Sequence, residues 1–310
     1  MRLATVRSGL TESFDDVTAI ALGDNDAVLH SFGEVDRPMY YRSAIKPLQA
    51  LAARRAGLNL PPEHLALSCA SHKGWPVHVS SVEAILRNHG LTPLDLGTPP
   101  DRPSSRNADS QLIAKGDTGK RPIFHVCSGK HAGWLAACKI AGWETASYLA
   151  IDHPLQRSIR EIIAEYTGVD PNPTGVDGCG APTLVGSVRG LAKGFRSVET
   201  VSEFASIATA MTRFGSMVSD NVSAQGRVGT TWGGPQKVGA QGCYAMSRQG
   251  VAIATKSHSG SEENAVTVAL HVADRLGLLS DGMVSALEPQ LFPPVFGGGR
   301  IVGHRQVVDA

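Results

Sequence analysis

The chain lacks a membrane-crossing run: no stretch of its 310 residues approaches the ~20 apolar residues that a spanning helix needs. Its opening, Met1-Arg2-Leu3-Ala4-Thr5-Val6-Arg7, has no apolar core of signal-peptide length. Excess charge of either sign is missing as well. With 29 Lys and Arg against 28 Asp and Glu, the net charge is +1, which offers nothing to a nucleic acid or another polyanion. Cysteines are few, and their odd number (Cys69, Cys127, Cys138, Cys179 and Cys243) does not make a secreted disulfide framework. The expectation is a soluble, cytoplasmic protein from a reducing compartment, without nucleic-acid or membrane partners. A phosphate-binding Gly-x4-Gly-Lys, a dinucleotide glycine fingerprint and a His-Glu-x-x-His motif are all absent. Internal repeats and coiled-coil heptads are absent too.

What remains is an ordinary globular balance, 42% hydrophobic and 18% charged, sized for one large domain or two packed ones. Val17 to Leu22 and Ala27 to Phe32 flank the turn-forming Gly23-Asp24-Asn25-Asp26 and predict a β-hairpin. Helical spacing starts near Ala44 and stops at Gly57. Further helices are expected over about His78 to Asn88, Lys130 to Ala141, Leu155 to Tyr166, Thr183 to Leu191, Val201 to Met211 and Glu262 to Leu276. Leu65 to Ala70 is a short apolar run, read as a buried segment or strand end. Residues 92–122, rich in Pro, Ser, Asp and Gly, read as a long exposed connection, a feature that is often functional. Lys237 to Met246 and Val251 to Lys256 predict a late hairpin.

Four stretches carry chemistry. In Tyr41-Arg42-Ser43-Ala44-Ile45-Lys46-Pro47, the proline is tolerated only in a first helical turn, so the helix begins close to Ser43. Ser43 and Lys46 then share a face, and the amine can act as base to the hydroxyl. This Ser-x-x-Lys spacing opens the catalytic helix of class A β-lactamases and penicillin-binding proteins. A helix start with an exposed lysine has the same local pattern. Cys69-Ala70-Ser71-His72-Lys73-Gly74 offers a second serine or an ordinary turn. Cys127-Ser128-Gly129-Lys130-His131 and Asp177-Gly178-Cys179-Gly180 each place one cysteine on a glycine-rich loop. Two such thiols suit zinc, although single cysteines are also common core residues. Lys256, at the end of an apolar strand, resembles the strand lysine of the Lys-Thr-Gly element in the β-lactamase group.

Taken in order, these stretches resemble the L-asparaginase II family, the rhizobial inducible type, over about residues 10 to 300. Arg42-Ser43-Ala44-Ile45-Lys46-Pro47-Leu48-Gln49-Ala50, Cys69 to His72, Cys127 to Gly133, Val176 to Pro182 and the Lys256 strand carry the likeness. The resemblance implies an α/β (α+β) fold like the serine β-lactamases and related glutaminases: a mixed sheet flanked by helices with a helical subregion. It implies a single catalytic domain over residues 1–310, a homodimer, and hydrolysis of L-asparagine to L-aspartate and ammonia. It further implies two Ser–Lys pairs, Ser43 with Lys46 and Ser71 with Lys256, and contact with the small-molecule substrate by Arg42, His72 and Asp177. A zinc ion near the pocket would be held by Cys127, Lys130 and Cys179, with Asp177 close by. Two positions depart from the family pattern: Val126 stands where Asn is common, and Ser259 stands where an acid commonly precedes the glycine. A glutaminase or broader Ser–Lys amidase is the alternative within the class, and a silent amino-acid-binding module is the alternative outside it.

Overall fold

Strands form where small and branched residues alternate, and the centre of the sheet is buried on both faces. The computed structural model describes residues 1–308. Strand β1 (Arg2–Arg7) pairs with the first half of β2 (Leu10–Leu22). The second half of β2 pairs with β3 (Val28–Phe32), as the hairpin pattern predicts. After β4 (Met39–Tyr40) come helices α1 (Lys46–Arg55), α2 (Pro62–Ser68), α3 (Pro76–Asn88), α4 (Arg106–Ala114), α5 (Ser128–Ala141) and α6 (Pro154–Thr167). Strands β5 (Thr174–Val176) and β6 (Pro182–Gly186) join β4 in a small second sheet, ordered β4-β6-β5. Helices α7 (Val188–Thr200), α8 (Ala205–Arg213), α9 (Gly215–Val218) and α10 (Ala224–Thr231) lead to β7 (Gln236–Gly239), β8 (Cys243–Arg248) and β9 (Val251–Ser257). The described chain closes with α11 (Glu262–Arg275), α12 (Asp281–Ala286), α13 (Glu288–Leu291), β10 (Pro294–Gly297) and β11 (Arg300–Val308).

The main sheet runs β10-β11-β1-β2-β9-β8-β7, with β3 also on β2, and its pairings are antiparallel. Side chains alternate across it with period two. Val17, Ala19, Ala21, Tyr244, Met246 and Ile253 enter the core under α11. Ile20, Leu22, Cys243, Ala245, Ala252 and Ala254 enter the core under α7 and the helical region. The alanines on the second face let α7 lie close to the sheet. The result is the expected sheet with helices on both faces and a helical subregion, α1 to α6, to one side. No helix among the described residues is long and apolar enough to cross a membrane.

Several local expectations change. Leu65 to Ala70 belongs to α2 and the turn after it, not to a strand, because Pro62 supplies a helix start and the buried face needs one apolar turn only. The connection over residues 92–122 is structured: it carries α4, capped by Ser105, and a bridge between Asp101 and Arg121. The helix expected from Thr183 is strand β6, and the true helix begins after Ser187, whose hydroxyl accepts from Gly190 N. The strand expected over 237–246 is broken at Gln241-Gly242, both at positive φ, into β7 and β8.

The turn before Gly260 is gathered by an acid on β2. Asp15 accepts Ser257 Oγ at 2.6 Å, Ser259 Oγ at 2.7 Å, Asn264 Nδ2 at 2.7 Å and Ser259 N at 3.0 Å. Burial pushes its carboxyl up, but the hydrogen bonds from Ser257, Asn264 and Ser259 outweigh burial and hold it below the usual value. A carboxyl so depressed adds stability above its unfolded pKa, near 3.9, and loses it as pH falls through the folded value. Asp15→Ala, which strands four donors, is expected to cost about 1–3 kcal/mol near neutral pH. In urea titrations, the gap between wild type and Asp15→Asn is expected to narrow below about pH 4; a constant gap would contradict this account.

Candidate active site

Residue Tyr41 fixes where the serine–lysine turn lies. Its ring is fully buried, and a Cβ added at Gly186 would fall 1.8 Å from its Cζ. One added at Gly190 would meet its hydroxyl at 2.4 Å. Only glycine leaves room for the ring at these points. Arg42 follows with φ +50, a left-handed conformation that a non-glycine residue adopts with strain. That turn swings the chain from β4 into the single 3-10 turn Arg42–Ile45 and straight on into α1, with Pro47 in the first turn. Arg42 is held by Asp177, whose Oδ1 accepts its Nη2 at 2.7 Å and its Nε at 3.0 Å.

Lys46 is 1% exposed, and three groups surround its amine. It donates to Ser71 Oγ at 3.0 Å, to Ala70 O, and to Cys127 Sγ at 3.3 Å. The loop after α2 presents Ser71 because its backbone is pinned: Ser71 N donates to Val218 O and His72 N to Val126 O, each at 3.0 Å. So Lys46 is joined to Ser71 and not to Ser43. No hydrogen bond joins Ser43 Oγ to another group among the described residues. Ser43 instead lines a narrow cleft with Arg42, Lys46, Lys130 and Asp177.

The other expected residues divide. His72 does not reach the cleft. It is fully buried, with Gly74 N donating to Nδ1 at 3.1 Å and Nε2 lying 2.8 Å from Ser128 Oγ. Ser128 in turn donates to Ile123 O at 2.8 Å, so Nε2 carries the proton. Burial, reinforced by the charges of His78 and Lys46, holds His72 far below its ordinary pKa. It ties the Ser71 loop to the start of α5. Lys256 also lies elsewhere: its amine donates to Gln241 O and, at 3.0 Å, to Ser257 O, and it lines a separate cavity with Thr18, Arg37 and His258. The expected Ser71–Lys256 pair is not formed, because Lys256 projects from an inner strand towards the start of α7.

A lysine that the motif reading passed over stands nearer. Lys237, on the edge strand β7 packed against the Ser43 turn, has no exposed surface and donates to Val238 O at 2.6 Å. Burial, then the charge of Lys46, holds it well below the usual lysine value. The signal was in the sequence: Lys237-Val238-Gly239 has the Lys-x-Gly spacing of the β-lactamase element on an edge strand, and Lys256-Ser257-His258 has not.

The two loop cysteines meet. Cys127 and Cys179 are buried and hydrogen-bonded to each other, and Lys130 Nζ lies 3.4 Å from Cys179 Sγ and 4.1 Å from the Trp134 ring centre. The hydrogen bond from Cys179 lowers Cys127, aided by Lys46, while the same bond raises Cys179. Gly129 makes the motif compact, since a Cβ there would fall 2.6 Å from Leu67 O in α2. Two soft thiols and one amine thus converge at a buried point. No group of three His, Cys, Asp or Glu gathers among the described residues. Because the Tyr41 slot sets the whole turn, Gly186→Ala is expected to cost about 3 kcal/mol or more, read as a lowered midpoint in chemical denaturation. An unchanged midpoint would show that Tyr41 does not need that space.

Comparison with known proteins follows this geometry. No curated protein sequence matches the chain. Among solved structures, the protein titled Mglu in its native form matches with a TM-score of 0.46 and 14% identity, over 86% of this chain and 66% of that one. A second structure of Mglu gives 0.45 and 14%, over 84% and 67%. A mutant of a Streptomyces DD-transpeptidase gives 0.45 and 15%, over 83% and 97%. This chain therefore spans about two thirds of the length of Mglu. The model of one sequence family, L-asparaginase II, matches residues 3–307, nearly the whole chain, and the protein belongs to that family.

Proposed function

We propose that the protein is an L-asparaginase, hydrolysing L-asparagine to L-aspartate and ammonia through a serine–lysine acyl-enzyme. The observation that carries the reading is the 3.0 Å contact of Lys46 Nζ with Ser71 Oγ beside the Ser43 cleft. It is the nucleophile–base spacing that covalent catalysis requires. Lys46 Nζ takes the Ser71 hydroxyl proton as Oγ attacks the side-chain carboxamide carbon. The C–N bond breaks, and the nitrogen leaves as ammonia with a proton returned from the amine. Water then adds to the ester and gives its proton to Lys46; the bond to Ser71 Oγ breaks, Lys46 returns the proton to Oγ, and aspartate is released. Lys237, a second buried amine on the strand packed against the Ser43 turn, is the other group positioned to exchange protons in the site. Because Ser43 lines the cleft at the start of a helical run, a second reading has Ser43 attack while Ser71 relays its proton to Lys46.

Cys127, Cys179 and Lys130 fit a zinc ion by donor type and by convergence. Bound there, zinc would act as a Lewis acid or tie the α5 start to the Asp177 loop. The thiols and the amine must shed protons to bind it, so occupancy should fall in acid.

Activity, adduct mapping and metal content test these assignments. Lys46→Met and Ser71→Ala are expected to lower ammonia release from L-asparagine by at least about 1,000-fold with unchanged melting temperature; near-normal turnover in either removes that residue from the chemistry. Mass spectrometry of a trapped acyl-enzyme should place the adduct on the Ser71 peptide, and an adduct on Ser43 exchanges the two serines' roles. Lys237→Met is expected to lose activity, while Lys256→Met keeps it. For the metal, elemental analysis of gently purified protein should show one zinc per chain, and Cys127→Ser with Cys179→Ser should abolish it and lower the melting temperature. Ammonia release from L-glutamine at the rate of L-asparagine would broaden the reading to an amidase.

A further inference from the structure

A cavity of about 230 Å3 is lined by Lys73, Ser223, Gln225, Val238, Glu262 and Glu263. Two of its lining residues are close along the chain to residues of the site. Lys73 is two residues past Ser71, at most about 7 Å of extended chain, and Val238 adjoins Lys237. The charges of Glu262 and Lys73 both act on Lys237. Glu263 is committed to Arg305, but neither Lys73 nor Glu262 forms an ion pair among the described residues. Opposite charges thus face one space without neutralising each other.

Gln225 supplies an independent observation. It is 6% exposed, and its Nε2 has no hydrogen-bond partner although its backbone oxygen accepts from Gln236 Nε2 at 3.2 Å. A buried amide N–H left unpaired is costly and calls for an acceptor. Arg42 and Asp177, the expected substrate contacts, pair with each other through Nε, Nη2 and Oδ1, which offsets much of the charge each could offer a ligand. We propose that this cavity receives the charged head of the amino-acid substrate, Lys73 and Gln225 binding the α-carboxylate and Glu262 the α-ammonium. The inference rests on the asparaginase reading and makes the enzyme selective for a zwitterion over a simple amide.

The test uses the full-length chain with three probes. L-Aspartate carries both head-group charges, succinate lacks the ammonium, and β-alanine lacks the α-carboxylate. L-Aspartate is expected to raise the melting temperature, with much smaller shifts from the other two, and Lys73→Met and Glu262→Gln should each remove most of the L-aspartate shift. Each variant should also raise KM for L-asparagine about tenfold or more, with kcat changed less. Wild-type shifts and KM retained in both variants overturn the proposal. If the wild type releases no ammonia from L-asparagine but the L-aspartate shift is present and lost in the variants, the asparaginase reading fails and the head-group site stands.

Discussion

The seating of Tyr41 is the constraint on which the rest of the site depends. A single ring fills the space that two glycines leave open, and the hydroxyl accepts from Ser187 N at 3.4 Å at the start of α7. The ring therefore joins the small sheet, α7 and the serine–lysine turn at one point. With it fixed, the left-handed Arg42 has one place to go, and Asp177 holds it there. A packed interior transmits such a constraint because it has no slack to absorb a displaced ring. The strain at Arg42 is tolerated for the same reason: the packing before it and the ion pair beside it over-determine the conformation.

Buried amines are the second organising feature. Lys46, Lys130 and Lys237 are all withdrawn from water, and none forms an ion pair with a carboxylate among the described residues. They rest on backbone carbonyls, hydroxyl or sulfur, and Lys130 also lies on an indole face. Burial and the charge of Lys46 disfavour the charged form of Lys237, and a serine needs an amine within reach to lose its proton. A core built only for stability would bury apolar groups of equal volume instead.

Much of this was legible in the chain. Pro47 located the start of α1, alternation located β2 and β3, and the order of the cysteine and serine stretches carried the family. The pairings were harder, because a side chain's partner is set by the crossing of elements far apart in sequence. Ser43 and Lys46 share a local spacing, yet the lysine turns away to a loop whose backbone is pinned by Val126 and Val218. Lys237 and Lys256 both read as strand lysines; only the sheet order shows that β7 lies at the edge beside the site and β9 lies inside. His72 looked like a reactive neighbour of Ser71, and nothing local revealed that Ser128 and Gly74 occupy both its nitrogens. Asp15, distant from Gly260 in the chain, gathers the turn before that glycine, a contact no local pattern announces.

The partners of Lys46 stand 25 and 81 residues away along the chain. No short peptide of this protein brings the amine, the hydroxyl and the thiol together. Such long closures are made late, once the intervening helices have docked. Reactivity is thus withheld from the nascent and partly folded chain and switched on by completion of the fold, so the same packing that assembles the cluster also acts as a check that the molecule is finished.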